Sequence, residues 1–148
     1  MPELSFEPVV PGDFEPMLEL RIAALRESLE RLGRFDPQRA RERLQAGFAP
    51  EYMQHICVDG ERIGYVTLRP AADLLRLEHL YVRPGQQGRG VGAWVMDWVK
   101  RVAGQRRQDV TLSALKFSDA NRFYLRHGFE VVGESDFDID YRWKAPQA

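Results

Sequence analysis

The residues best suited to chemistry lie near the middle of the chain, in Leu77-Glu78-His79-Leu80-Tyr81-Val82-Arg83-Pro84-Gly85-Gln86-Gln87-Gly88-Arg89-Gly90-Val91-Gly92. The order reads as an apolar strand, a glycine-rich turn and the first turn of a helix. Such a segment traps phosphate. Glycines let the backbone come close to a ligand, and the first amides of a helix have no partner within it. The helix dipole adds roughly half a positive charge at the same end, so a pyrophosphate can be held without a dedicated lysine.

Two ligands compete for this segment, beside the plain alternative of a turn that binds nothing. Gly88-Arg89-Gly90-Val91-Gly92-Ala93 satisfies the dinucleotide pattern G-x-G-x-x-[GA]. That reading needs an acid about 20 residues on, at the carboxyl end of the next strand. Asp109 has the spacing but precedes the run Val110–Leu115, which is the wrong end. Nearly half the chain also precedes the motif, whereas the dinucleotide fingerprint opens its fold. The second reading is Q-x-x-G-x-G, with Gln87, Gly90 and Gly92 in the fixed places. In this form the segment resembles the acyl-CoA-binding motif of the GNAT superfamily of N-acetyltransferases. Leu80-Tyr81-Val82-Arg83-Pro84 resembles that family's fourth strand. Farther on, Ala120-Asn121-Arg122-Phe123-Tyr124-Leu125-Arg126-His127-Gly128-Phe129 resembles its later signature, A-x-x-F-Y-x-x-x-G-F. The two motifs stand in the family's order.

The elements that must position these residues alternate along the chain. Leu4 to Val10 reads as a strand, and Asp13 as the cap of a helix whose first turn tolerates Pro16. Phe14, Met17, Leu18, Ile22, Leu25, Leu29 and Leu32 recur at spacings of three and four, one face of a long helix that Gly33 can end. Asp36-Pro37 starts a second helix through about Gln45. Tyr52–Val58 and Arg62–Arg69 are strands joined by Asp59-Gly60, a strong hairpin signal. Leu74–Arg83 is the next strand and Val91–Ala103 the helix after the loop. Val110–Leu115, Ala120–His127, Phe129–Gly133 and Asp138–Trp143 follow as strand, helix, strand and strand. No repeat or linker interrupts them, so residues 1–148 are expected to form one domain.

Composition agrees with a modest enzyme domain. The chain has 148 residues, of which 44% are apolar, enough for one substantial core. No apolar run approaches the ~18–20 residues that cross a bilayer, and the N-terminus lacks the pattern of a signal peptide. The lone Cys57 has no internal disulfide partner, and three dispersed histidines make no metal cluster. A cytoplasmic protein is the expectation. Basic and acidic residues number 21 and 22. The arginine clusters at 39–43 and 101–107 are interrupted by other residues and form no basic face, so no nucleic-acid partner is expected.

The GNAT resemblance implies an α/β (α+β) fold, a mixed and mostly antiparallel sheet of about seven strands with helices on both faces. Two central strands are expected to splay and leave a cleft. It implies acetyl-CoA as donor, with its pyrophosphate on Gln87, Gly88, Arg89, Gly90, Val91 and Gly92; Arg89 either adds a charged contact or faces solvent. Its pantetheine arm is implied to pair with the backbone of Leu80, Tyr81 and Val82, where one amide would polarise the thioester carbonyl. Tyr124 corresponds to the tyrosine that protonates the departing thiolate. A phenol of pKa ~10 suits a thiolate of ~8–9, although packing beside Phe123 is the alternative. An ammonium of pKa ~10 must also lose a proton. Glu78, on the face of Leu80, and His79, on the opposite face, are the candidates, and a structural role is open to both.

One position departs from the family. Seven residues before Tyr124, where an asparagine often touches the CoA arm, stands Phe117; Asn121 falls four residues later. The acceptor wall is implied to lie at about 26–43, whose mixed charge suits a zwitterionic amine or simply an exposed helix. Cys57 has no basic neighbour in sequence, which favours direct transfer over an acyl-cysteine. The expected activity is therefore N-acetylation of a small-molecule or peptide amine. A non-catalytic acyl-CoA-binding module is the alternative. The last strand, ending in Tyr141-Arg142-Trp143, is a candidate to pair across a homodimer.

Overall fold

The computed structural model describes residues 2–86 and 90–146. Its elements are β1 (Leu4–Pro8), α1 (Phe14–Arg31), α2 (Pro37–Gly47), β2 (Met53–Val58), β3 (Glu61–Ala71), β4 (Leu74–Val82), α3 (Val91–Arg106), β5 (Val110–Leu115), α4 (Ala120–Arg126), β6 (Glu130–Glu134) and β7 (Asp138–Trp143). Single 3-10 turns precede α1 and β2. The strands form one seven-stranded sheet in the order β1-β2-β3-β4-β5-β7-β6. Pairs β1–β2, β2–β3, β5–β7 and β6–β7 are antiparallel, and β4–β5 is parallel. This is the expected mixed, mostly antiparallel α/β fold. No helix among the described residues is long and apolar enough to cross a membrane.

The chain divides into two compact units, Met1–Thr67 with His79–Trp94, and Leu68–Glu78 with Val95–Ala148. In the first, the predicted stripe of α1 buries Met17 and Leu18 in a cluster with Val9, Ala40, Leu44, Met53 and Tyr65. The helix ends as Gly33 predicted. At φ +68° Gly33 takes the left-handed turn, and the Arg34 N–H reaches back to the Leu29 carbonyl at 2.8 Å. Asp36 accepts from the Gln38 N–H at 3.0 Å and Pro37 opens α2, as expected. Asp59 and Gly60 both have positive φ, the requirement of a type I′ hairpin. On β2 and β3, His55 faces the same side as Tyr65; Ile56 faces the other side with Phe6, against which Trp94 of α3 stacks at 4.7 Å.

Two expectations need correction. The carboxylate of Asp13 does not cap α1; it turns back to the Val10 N–H at 3.0 Å and is claimed by His55 and Arg62. In the second unit, β7 does not offer an edge for a dimer. Val110–Leu115 of β5 pair with all of Asp138–Trp143, and β6 takes the other side. Its backbone groups are thus committed within the chain, and β6 is the outer strand.

Candidate active site

The loop after β4 is built by local turn chemistry. Arg83-Pro84-Gly85-Gln86 forms a turn closed by the Gln86 N–H to the Arg83 carbonyl at 3.0 Å, with Gly85 at φ +91° in the third position. Gly90 has φ +78°, and its carbonyl receives the Trp94 N–H at 3.0 Å to start α3. The ladder begins at Trp94, so the amides of Val91, Gly92 and Ala93 have no acceptor within the helix. A Cβ at Gly85 or Gly90 would meet nothing within 4 Å; these glycines serve backbone conformation in open space. Gln87, Gly88 and Arg89 lie outside the described residues.

The strand that leads to the loop presents its backbone in alternation. A Cβ at Gly64 of β3 would lie 2.2 Å from the Tyr81 carbonyl oxygen, and the Arg83 N–H donates to the Ile63 carbonyl at 2.7 Å. Tyr81 therefore turns its backbone towards β3. By the strand period, Leu80 and Val82 turn theirs to the opposite edge. β4 pairs with β5 through Leu75↔Val110 and Arg76↔Thr111, before Leu80 is reached.

The two proton-acceptor candidates part company. His79 is buried, its Nδ1 2.7 Å from Thr67 Oγ1 and its ring against Tyr65 and Tyr81. Those contacts give it a packing role. Glu78, on the other face, places Oε1 3.0 Å from Arg69 Nε, both side chains about a quarter exposed. The arginine pairing weighed for Glu78 in sequence is present.

In the second unit, Tyr124 is 7% exposed, its ring against Phe123, Phe129 and Tyr141. Its backbone carbonyl receives the N–H of both His127 and Phe129, which ends α4 and fixes the start of β6. Asn121 does not replace the missing asparagine; its amide group donates to the carbonyls of Leu115 and Ser118, and its oxygen accepts from Tyr141. Phe117 stands at φ +68° and is 68% exposed, a position that side chains rarely take.

Sequence reasoning missed a polar group of the first unit. Asp13 accepts from Arg62 at 3.1 Å and from His55 Nε2 at 2.8 Å. A carboxylate only accepts, so His55 carries its proton on Nε2. The His55 hydrogen bond, then the Val10 N–H and Arg62, hold the Asp13 carboxyl down at about 2 against the opposing effect of burial. His55 and Tyr65 also line a cavity of about 390 Å³ beside Met17 and Leu20 of α1. Arg21, one turn beyond Met17, is buried beneath the same stripe. The available signal was an arginine interrupting an apolar face, between Leu18 and Leu25. The charges of the expected acceptor wall, by contrast, pair along the exposed helix as Arg26–Glu30 and Arg31–Glu27. Cys57 is buried 3.8 Å from Glu7, and burial, then Glu7, pushes its thiol up, which disfavours a nucleophilic thiolate.

The fold recurs in proteins of distant sequence. The Thermoplasma acidophilum PaiA N-acetyltransferase, in complex with coenzyme A, superposes with a TM-score of 0.78 at 14% identity, over 96% of this chain and 99% of that one. An acetyltransferase from Thermus thermophilus gives 0.75 at 18% identity, over 95% and 96%. The ribosomal-protein-S18-alanine N-acetyltransferase of Escherichia coli gives 0.74 at 14% identity, over 99% and 96%. No curated protein matches by sequence. Residues 51–131, more than half of the chain, match the family model of the acetyltransferase (GNAT) domain, and this stretch holds both the glycine loop and the Tyr124 motif. The chain belongs to the GNAT family of acetyltransferases, and acetyl transfer is its chemistry.

Proposed function

We propose that the chain, acting as one domain, moves an acetyl group from acetyl-CoA directly to a primary amine of a small molecule or peptide. One observation carries the donor assignment: within the first unit, β4 leads through Pro84-Gly85 to the first turn of α3, where the amides of Val91, Gly92 and Ala93 have no acceptor within the helix. A strand that runs into an open helix N-terminus suits an amide-bearing arm that ends in a diphosphate. The CoA bound by the similar PaiA enzyme supports this reading. Gln87, Gly88, Arg89, Gly90, Val91 and Gly92 are assigned to the diphosphate. Leu80 and Val82 are assigned to the arm, with Tyr81 orienting them from the β3 side. The Leu80 amide is assigned as donor to the thioester carbonyl.

Tyr124 is assigned to donate its phenolic proton to the leaving thiolate. Glu78, with one oxygen held by Arg69, is assigned to take the proton of the amine through water. Direct transfer fits the buried, protonated Cys57. The test is thiol release from acetyl-CoA across amino acids, polyamines, aminoglycosides and peptide N-termini. Tyr124→Phe is expected to lower kcat about a hundredfold with CoA affinity nearly unchanged, and Glu78→Gln by less. An unchanged rate in Tyr124→Phe removes it from the mechanism. Binding of acetyl-CoA without release by any amine returns the chain to the role of a non-catalytic module.

A further inference from the structure

Arg21 lies on the apolar stripe of α1 and is 8% exposed. A guanidinium keeps its charge at every pH a protein survives. Burying it is costly unless an anion or a full set of acceptors replaces the lost water. Among the described residues, none of the ion pairs involves Arg21. Its Nη1 hydrogen bond to the Tyr81 hydroxyl is long at 3.3 Å; the charge also stands 5.4 Å from the centre of the Tyr81 ring. Its Nε has no partner. The buried hydroxyl of Tyr65 has Arg21 as its charged, hydrogen-bonding neighbour, and no acceptor takes its own proton. Tyr81 already accepts from Arg21, so its own O–H is a donor. The group has a surplus of donors and a deficit of acceptors.

We propose that Arg21, with the hydroxyls of Tyr65 and Tyr81, binds the carboxylate of an acceptor that carries its reactive amine and an acid group in one small molecule. A carboxylate brings about four lone-pair positions and a single negative charge, which matches one guanidinium and two phenols. A phosphate dianion would leave a charge unmatched there. Tyr65, itself fully buried, is the member of the group that lies against a cavity: it lines a space of about 390 Å³ with Met17 and Leu20, the α1 residues just before Arg21. That volume is in the range of small-molecule sites. Arg21 does not line the cavity and meets it through Tyr65.

This assignment rests on acetyl transfer to an amine, and its test separates the two. Thiol release is measured for the parent with the twenty L-amino acids and their carboxamides, beside calorimetry of CoA binding. The expected result is a KM at least thirtyfold lower for an acid than for its amide. Arg21→Gln is expected to raise KM for the acid by a similar factor while leaving the amide and CoA affinity within about threefold. Tyr65→Phe keeps the ring and removes only the hydroxyl; it is expected to raise KM for the acid several-fold, and it serves if Arg21→Gln does not fold. Calorimetry with the N-acetylated acids and amides in the presence of CoA gives the same comparison without turnover. Equal values for acids and amides in the parent, or equal losses for both in the variants, would overturn the carboxylate site and leave acetyl transfer standing. Absence of CoA binding would instead overturn the donor assignment, with the acid–amide preference in direct binding still deciding the role of Arg21.

Discussion

Asp13, Arg21, His55, Thr67 and His79, the buried polar side chains among the described residues, all belong to the first unit. In the second unit the buried side chains are aliphatic and aromatic: Val95, Met96, Val99 and Ala103 on α3, Val110 and Leu112 on β5, and Tyr124, Phe129 and Tyr141. Its charges, such as Arg142 with Asp109 and Lys116 with Glu134, stay at or near the surface. An apolar interior tolerates small shifts, because dispersion and burial have little direction. A buried polar group tolerates few, since each unmade hydrogen bond costs the desolvation of its partner. The first unit thus commits stability to geometry, while the second supplies packing around Tyr124.

The sharpest challenge to this contrast is at Gly64. An alanine there would place Cβ 2.2 Å from the Tyr81 backbone carbonyl, which cannot rotate away. Gly64→Ala is expected to cost about 3 kcal/mol in urea unfolding and to disturb the Leu80–Val82 edge. A loss below about 1 kcal/mol would show that β3 and β4 give way easily and that the geometry is not tightly held.

The pH dependence comes next. Asp13 titrates at about 2 in the folded chain against 3.8 ordinarily. A lowered folded value means stability present above about pH 4 and lost as pH falls towards 2, about 2 kcal/mol in all. Asp109 of the second unit is also lowered, by the Ala145 N–H first and then Arg142. Comparing the parent with Asp13→Asn isolates the first unit's share: the variant's acid unfolding should show a shallower slope between pH 4 and 2. The same slope in both would remove Asp13 from the account.

A smaller effect is expected in the second unit from Tyr141→Phe. It removes the 2.7 Å hydrogen bond to Asn121 and keeps the ring packed on Tyr124, so a loss of about 1 kcal/mol is expected. A loss near 3 kcal/mol would make this unit as dependent on polar geometry as the first. The smallest effect has the opposite sign. Gly104 lies inside α3 with nothing within 4 Å of an added Cβ, so Gly104→Ala should stabilise by about 0.8 kcal/mol in thermal or urea unfolding.

Much of this was legible in the chain because it is decided within a few residues. The Asp59-Gly60 hairpin, the Gly33 stop, the Asp36-Pro37 start and the bounds of β5 and β7 follow from turn chemistry and side-chain period. The opposite facing of Glu78 and His79 follows from the same period. The errors were of another kind. Asp13 sits at the head of α1 as a cap should, but His55 and Arg62, more than forty residues away in sequence, compete for its carboxylate and win. The last strand was a candidate to pair across a homodimer, yet β5 and β6 enclose it.

By itself the sequence determined the family, through two spaced motifs, and the order of its strands and helices, because glycine, proline and periodicity act locally. Tertiary structure alone decided which polar groups are buried, that Arg69 holds Glu78, and that Arg21 meets two tyrosines and no acid. The physical reason is that desolvation and pairing belong to residues far apart in the chain, and no local pattern records which of them will share an interior without water.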